Sequence, residues 1–165
     1  MRLGQVVAQR ELISRRGEWK RTGEGVVCAY GAFDLLHPGH IRLLEQARDW
    51  GKFLVVAVRW DASVRAAAAN AERPVTPAAE RAEILAALSA VDFAVVTGDP
   101  PAEFLQKLRP DVFIRGDEAD GEASSAAPNS LDRELAAMGC KVVRIPLEPG
   151  HSTSRLIERI SGHHA

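Results

Sequence analysis

Five short apolar runs, Val26 to Tyr30, Phe53 to Val58, Phe93 to Val96, Val112 to Ile114 and Val142 to Ile145, recur along the chain with helix-spaced segments between them. Each run is continuous rather than alternating, which is the pattern of a strand covered on both faces. Strands that alternate with helices build a parallel sheet whose crossover helices lie on its two sides. The pattern therefore predicts an α/β fold: a Rossmann-like, doubly wound, five-stranded parallel sheet. With 165 residues, 46% of them hydrophobic, the chain suits one domain over 1–165 and is short for two ordinary ones.

The helical segments can be read in order. A leading helical extension occupies residues 1–23, with a helix around Glu11 to Trp19. Ile41, Leu44 and Ala47 make one face of the next helix, and Pro77, Arg81, Ile84, Leu85 and Leu88 a stripe of another, whose start Thr76-Pro77 would cap. Phe104, Leu105 and Leu108 mark a further helix before Pro110. Leu131, Leu135 and Met138 mark one ending near Gly139, and Leu156, Ile157 and Ile160 the last. Residues 117–129, DEADGEASSAAPN, are polar, small and aperiodic, so a mobile loop is expected there.

Charge narrows the partners. Lysine plus arginine number 21 against 22 acidic residues, a net charge of -1, which gives no electrostatic basis for binding nucleic acid or an anionic membrane. The apolar runs fall far short of the ~20 residues that span a bilayer, and the first residues lack a basic-then-apolar secretory pattern. A cytoplasmic protein is expected. Cys28 and Cys140 lie inside core-like runs without metal-ligand spacing and read as buried thiols.

Ligands of doubly wound sheets bind beyond the carboxyl ends of the strands, where strand order reverses. The turn after the first apolar run reads Gly31-Ala32-Phe33-Asp34-Leu35-Leu36-His37-Pro38-Gly39-His40, with a helix starting at about Gly39. A helix amino terminus offers unpaired N–H groups and partial positive charge to phosphate. Two imidazoles three positions apart on that turn point into one space and can donate to phosphate oxygens. The glycines let backbone approach a ligand. Asp34 reads as fixing this turn through backbone hydrogen bonds rather than as a metal ligand. Ser152-Thr153-Ser154-Arg155 precedes the last helix, where hydroxyls, amides and a guanidinium can hold outgoing phosphates; a plain helix cap is the simpler reading of the hydroxyls. Arg81 is unusual because it shares a helix stripe with Leu85 and Leu88.

The segment GAFDLLHPGH resembles the signature of the His-x-Gly-His nucleotidyltransferase superfamily. Over nearly the whole chain, HPGHIRLLEQARDWG, DASVR, ERPVTPAAERAEILAALSAVD, LRPDVFIRG and HSTSRLIERI look, in the same order, like the adenylyltransferase domain of ADP-heptose synthase. The resemblance implies that His37 and His40 stabilise charge on the phosphates while an acceptor phosphate oxygen attacks the α-phosphorus of a nucleoside triphosphate, AMP being transferred and pyrophosphate leaving. It places Gly31, Ala32, Phe33, Gly39, Arg81, Ser152, Thr153, Ser154 and Arg155 toward the nucleotide, and Tyr30, Asp34, Asp61, Arg73, Arg115 and Asp117 toward the phosphorylated acceptor. It further implies Mg²⁺ as companion of the triphosphate with no dedicated protein ligands, frequent homodimers among relatives, a separate sugar kinase in the pathway, and heptose 1-phosphate as the first acceptor to consider. CTP-dependent relatives acting on glycerol phosphate or ethanolamine phosphate are the alternative, as is a module that binds nucleotide without turnover.

Several positions depart from the heptose pattern. Tyr30 stands for an asparagine, Arg59 and Trp60 for an asparagine and a serine before Asp61, and Arg115 for a lysine before Gly116. A glycine and a tyrosine expected just after Arg115 are not cleanly present. A lysine-glycine pair is missing where Ala66 to Ala69 stand, and Arg65 and Arg73 are the candidate replacements for its phosphate-neutralising charge.

Overall fold

The structure is a computed structural model that describes residues 3–68, 73–116, 128–146 and 153–162. In chain order the elements are β1 (Gln5–Val6), α1 (Gln9–Arg21), β2 (Val26–Gly31), α2 (Pro38–Arg48), β3 (Phe53–Arg59), α3 (Asp61–Ala67), α4 (Ala78–Ala86), β4 (Phe93–Thr97), α5 (Pro101–Leu108), β5 (Val112–Gly116), α6 (Ser130–Ala137), β6 (Lys141–Ile145) and α7 (Thr153–Ser161). Every strand pairing is parallel, and the spatial order is β1-β4-β3-β2-β5-β6.

The Rossmann-like fold is as the apolar runs require, with one strand more than the five expected. That strand, β1, is only two residues long, and its Val6 is half exposed. It is held by backbone bonds rather than by apolar burial: Gln5 N–H donates to the Asp92 carbonyl at 2.9 Å and Val7 N–H to that of Ala94 at 3.0 Å. Just before it, a Cβ on Gly4 would collide with the Val91 carbonyl, so only glycine allows this approach.

Alternate strand residues feed two cores. Val27, Ala29, Leu54, Val56, Val58, Val112 and Ile114 face Leu43, Leu44 and Ala47 of α2 and Ala82 and Leu85 of α4. Val26, Cys28, Val55, Ala57, Phe93, Val95 and Phe113 face Leu12 and Trp19 of α1, Phe104, Leu105 and Leu108 of α5, and Leu135 of α6. The leading helix is thus a full partner of the second core, with the Trp19 ring 4.5 Å from Phe53 and 5.1 Å from Phe93.

Helix faces were legible to within a residue. Ile41 and Ile84 are exposed, and Leu43 and Ala82 take the buried positions expected of them; Met138 is exposed as well. Thr76 does not cap α4, because Pro77 occupies the cap position without a side-chain bond and the Thr76 amide is used elsewhere. The helix with a side-chain capping box is α6, where Asn129 accepts from Asp132 N–H at 2.9 Å and Asp132 accepts from Asn129 N–H at 3.3 Å. Most of the loop expected at 117–129 lies outside the described residues; its last residue, Asn129, is this cap.

From β2 the chain proceeds outward through β3 to β4 on one side, then crosses to β5 and β6 on the other. The order therefore reverses between β2 and β5, and a crevice opens beyond their carboxyl ends.

Candidate active site

The turn leaving β2 reaches this crevice. Phe33 adopts a left-handed conformation (φ 49°), uncommon for a bulky residue. Its ring folds back over Gly31, where a Cβ would stand 3.1 Å from the Phe33 Cε2, so glycine suits that position. His37 is the residue preceding α2, Pro38 opens the helix, and the His37 carbonyl accepts the amides of His40 and Ile41 at 2.9 and 3.3 Å. The two imidazoles consequently stack, their ring centroids 3.8 Å apart and 24° from coplanar, while Phe33 lies 5.3 Å from His40 on an inclined ring. Gly39 is buried within the first turn of α2.

Burial, the neighbouring His37 and the Arg73 guanidinium together push the His40 imidazole down to about 4. His40 is therefore neutral near pH 7, with one donor and one acceptor nitrogen. Its buried Nδ1 has no hydrogen-bond partner among the described residues.

Two carboxylates hold this turn against the helices that follow. Asp34 accepts the Thr76 amide at 2.9 Å and Arg73 Nε–H at 3.3 Å, so its backbone partner lies in the segment before α4 rather than in its own turn. Asp61, at the first position of α3, accepts the Ala78 amide at 2.9 Å and an Arg81 N–H at 2.6 Å. Arg81 is 1% exposed; it also donates to the Thr76 carbonyl at 2.8 Å and to the Ala32 carbonyl. It does not reach for solvent along its stripe. It ties the Ala32 turn, the start of α3 and the approach to α4 to one guanidinium, whose fork geometry can serve three acceptors at once. Arg65 is exposed on the last turn of α3, whereas Arg73 is near enough to influence His40.

The last helix joins the same place. Thr153, the first residue of α7, is buried and its hydroxyl donates to the Leu35 carbonyl at 3.4 Å, bringing a second helix amino terminus beside the histidine turn. Ser152, the side chains of Ser154 and Arg155, and Asp117 lie outside the described residues.

On the opposite face of the sheet from α2, Tyr30 donates its hydroxyl proton to the Asp99 carbonyl at 2.9 Å. Burial, in the first place, raises its phenol, although nearby Arg59 lowers it. Arg115 donates to Asp132 at 2.9 Å, and so does Arg144 at 2.9 Å. Burial pushes the Asp132 carboxyl up, but the bonds from Arg144, Arg115 and the Asn129 amide outweigh it and hold the group below the usual carboxylate range. Arg144 and Asp132 were not among the residues singled out from sequence. The available signal was an arginine inside the run KVVRI, where a strand covered on both faces should be apolar.

These groups can bind and polarise phosphates: two helix amino termini, a stacked pair of imidazoles and a cation held at Arg73. The Cys28 and Cys140 thiols are buried and shifted upward, mainly by desolvation, so neither is a nucleophile near neutral pH. No described helix is long and apolar enough to cross a membrane.

The cytidylyltransferase-like family pattern matches residues 28–159, from within β2 to within α7, covering both helix amino termini and the histidine turn. The chain belongs to this family of nucleotidyltransferases. Among curated relatives, the bifunctional protein HldE of Koribacter versatilis (strain Ellin345) is 41% identical over 160 residues, covering 96% of this chain and 31% of that protein. HldE of Acidiphilium cryptum (strain JF-5) is 38% identical over 159 residues, covering 96% of this chain and 32% of its own length. The chain thus spans about a third of these relatives. Among solved structures, a lipopolysaccharide core biosynthesis protein from Thermoplasma volcanium GSS1 superposes with a TM-score of 0.60 at 25% identity, over 76% of this chain and 98% of that one. Pantothenate synthetase from Thermus thermophilus, at 16% identity and a TM-score of 0.57 over 86% of this chain and 61% of its own, shares the fold.

Proposed function

We propose that this nucleotidyltransferase transfers AMP from MgATP to the phosphate of a sugar phosphate, with release of pyrophosphate. An acceptor phosphate oxygen attacks the α-phosphorus, the bond from that phosphorus to the bridging β-phosphate oxygen breaks, and the product is a phosphoanhydride with no covalent enzyme intermediate. The observation that carries this reading is the stacked His37–His40 pair at the amino terminus of α2. Neutral His40 donates from a site where little must reorganise as negative charge grows on the phosphates. Arg73, held by Asp34, supplies the fixed positive charge that the alanine run lacks.

Asp34 and Asp61 are both committed to cations and amides. In this reading Mg²⁺ enters with the substrate, as the companion of the triphosphate. The similarity to HldE favours ATP over CTP, and heptose 1-phosphate is the first acceptor to test, supplied in this reading by a separate sugar kinase in the cytoplasm. The test is pyrophosphate release with Mg²⁺ over a grid of ATP and CTP against phosphorylated sugars, polyols and amino alcohols. Release that depends on ATP and a sugar phosphate supports the proposal. Release only with CTP and a polyol or amino-alcohol phosphate replaces it with the cytidylyl reading, and tight nucleotide binding with no release for any acceptor replaces it with a binding module.

A further inference from the structure

The carboxyl rim of the sheet carries an exposed aromatic ring one strand from the histidine turn. Trp60 follows β3 directly and is 49% exposed. Its amide donates to the Thr97 carbonyl at 3.0 Å, where β4 ends beside β3. A Cβ on the next residue, Gly98, would stand 3.2 Å from the indole Cδ2, 3.4 Å from Cε2 and 3.5 Å from Cε3. Cδ2 is a ring-fusion atom bonded to both of the others, and a point closest to it and almost equally close to its two neighbours lies above the ring face. An edge approach would leave Cε2 much farther away than Cε3. The indole is therefore laid flat over Gly98, with no side chain between ring and backbone. A flat ring covered on one face reaches this degree of exposure through its other face, which is open.

The platform is held in place, and polar groups with bonding capacity left flank it. Tyr30 donates its hydroxyl proton to the Asp99 carbonyl at 2.9 Å, and the Asp99 amide donates to the Thr97 hydroxyl at 3.1 Å, so the segment beneath the ring is fixed on both sides of Gly98. Asp61, the residue after Trp60, takes the Ala78 amide and the Arg81 N–H on the same oxygen, Oδ1. Its Oδ2 has no hydrogen-bond partner among the described residues, nor has the indole N–H, and the Asp61 side chain is 32% exposed. Through Arg81, which also donates to the Ala32 carbonyl, Asp61 is tied to the turn that ends in the histidines. The rim thus offers an apolar face, one open acceptor and one open donor together. That combination matches a sugar ring. The C–H face of the ring is apolar and favours a flat apolar surface, attracted further by the negative face of the indole, while its hydroxyls both donate and accept. An open-chain polyol phosphate of the same charge has the hydroxyls but no continuous C–H face.

We propose that the open face of Trp60, with Asp61 Oδ2 beside it, is the surface on which the sugar ring of the acceptor lies, so that Trp60 selects cyclic sugar phosphates over open-chain polyol or amino-alcohol phosphates. This rests on the sugar-phosphate reading above and narrows its acceptor to pyranose phosphates.

The experiment is calorimetric and fluorescence titration of the full chain, first with Mg²⁺ and α,β-methylene ATP, which occupies the nucleotide site without turnover, and then with the acceptor probes. These are heptose 1-phosphate, mannose 1-phosphate, glucose 1-phosphate and glycerol 3-phosphate. At least one pyranose phosphate is expected to bind about ten-fold or more tightly than glycerol 3-phosphate and to change the tryptophan emission. Trp19 is buried in the core and Trp50 lies beneath the Lys141 ammonium, so Trp60 is the reporter. Trp60→Ser should remove both the preference and the emission change, whereas Trp60→Phe, which keeps an aromatic face, should lose the emission change and retain most of the preference. Both should leave the affinity for the nucleotide analogue within about two-fold, with thermal melts as a check on folding. Gly98→Ala, which crowds the indole, should weaken pyranose binding in the wild type and have no such effect in Trp60→Ser. Equal affinity for all four probes in the wild type overturns the proposal, as does a preference that survives in Trp60→Ser. An emission change produced in full by the nucleotide analogue alone also overturns it, by assigning the ring to the base. If pyrophosphate release with ATP and a sugar phosphate persists beside any of these results, the platform alone falls; if release requires CTP and a polyol or amino-alcohol phosphate, the sugar-phosphate reading falls with it.

Discussion

Asp34 and Arg73, 39 residues apart in the chain, meet as an ion pair at 3.3 Å, with the carboxylate fully shielded from solvent. The aspartate belongs to the turn that ends in the histidines, and the arginine to the segment leading into α4. Because the same carboxylate takes the Thr76 amide, the segment is fixed at two points and the Arg73 cation is held where it acts on His40. A cation positioned in this way needs no reorganisation when a phosphate arrives.

Arg73→Ala should lower kcat for pyrophosphate release about 10- to 100-fold, whereas Arg65→Ala, at an exposed site on α3, should stay within about two-fold. Ala68→Lys should add little to the wild type and recover part of the loss in Arg73→Ala. Steady-state rates with matched thermal melts decide the matter. Wild-type turnover in Arg73→Ala would show that the positive charge is supplied elsewhere.

His37→Ala and His40→Ala should each cost about 100-fold or more in turnover, the usual effect of deleting a donor aimed at developing charge. Melting temperatures should change little by comparison. A rate that remains at the wild-type level in either variant removes the central role given to the stacked pair.

Acid should destabilise the chain through His40. Its imidazole is held at about 4 in the fold against an ordinary value of 6.5, so between these values the unfolded chain binds the extra proton. The His40 contribution is complete above about pH 6.5 and is lost as the pH falls toward about 4. Melting temperature measured from about pH 7.5 to 4.5 should therefore fall more steeply for the wild type than for His40→Phe. Parallel curves would mean that His40 does not titrate as its burial requires.

Asp61→Ala should be among the more damaging substitutions outside the cores, because it leaves the wholly buried Arg81 without its carboxylate. Removing one partner of a buried pair costs about 3–5 kcal/mol, and for a chain of this size each kcal/mol is worth about 2–4 °C of melting temperature. The half-exposed position of Asp61 places the expected loss near the lower end. A drop of less than about 2 °C would show that the Thr76 and Ala32 carbonyls alone satisfy Arg81.

Arg115→Lys should raise KM for the acceptor more than KM for ATP. Lysine keeps the charge but loses the planar fork, and Arg115 stands across the sheet from the helix that carries the histidines. Equal changes in both constants would place Arg115 in the nucleotide site instead.

The alternation of apolar runs and helical stripes revealed the parallel sheet, because strands covered on both faces read as continuous hydrophobic runs and these runs are short and rich in valine, isoleucine and phenylalanine, which favours strand over buried helix. The histidine turn was legible for a related reason: strand, glycine, histidine pair and helix start are consecutive, so their geometry is local. β1 was not legible, since two residues held by backbone bonds leave no side-chain signature. Nor could local pattern choose the buried neighbour in α2, where Leu43 rather than Ile41 packs inward, because a few degrees of helix rotation decide it. The fate of the charges was decided by tertiary structure alone. Asp34 finds Arg73, Asp61 finds Arg81, and Asp132 gathers Arg115 and Arg144 from two strands, each pairing spanning 12 to 39 residues. A charged side chain carries no periodic signal for its partner; only the fold, by burying the carboxylate, determines which cation must come to it.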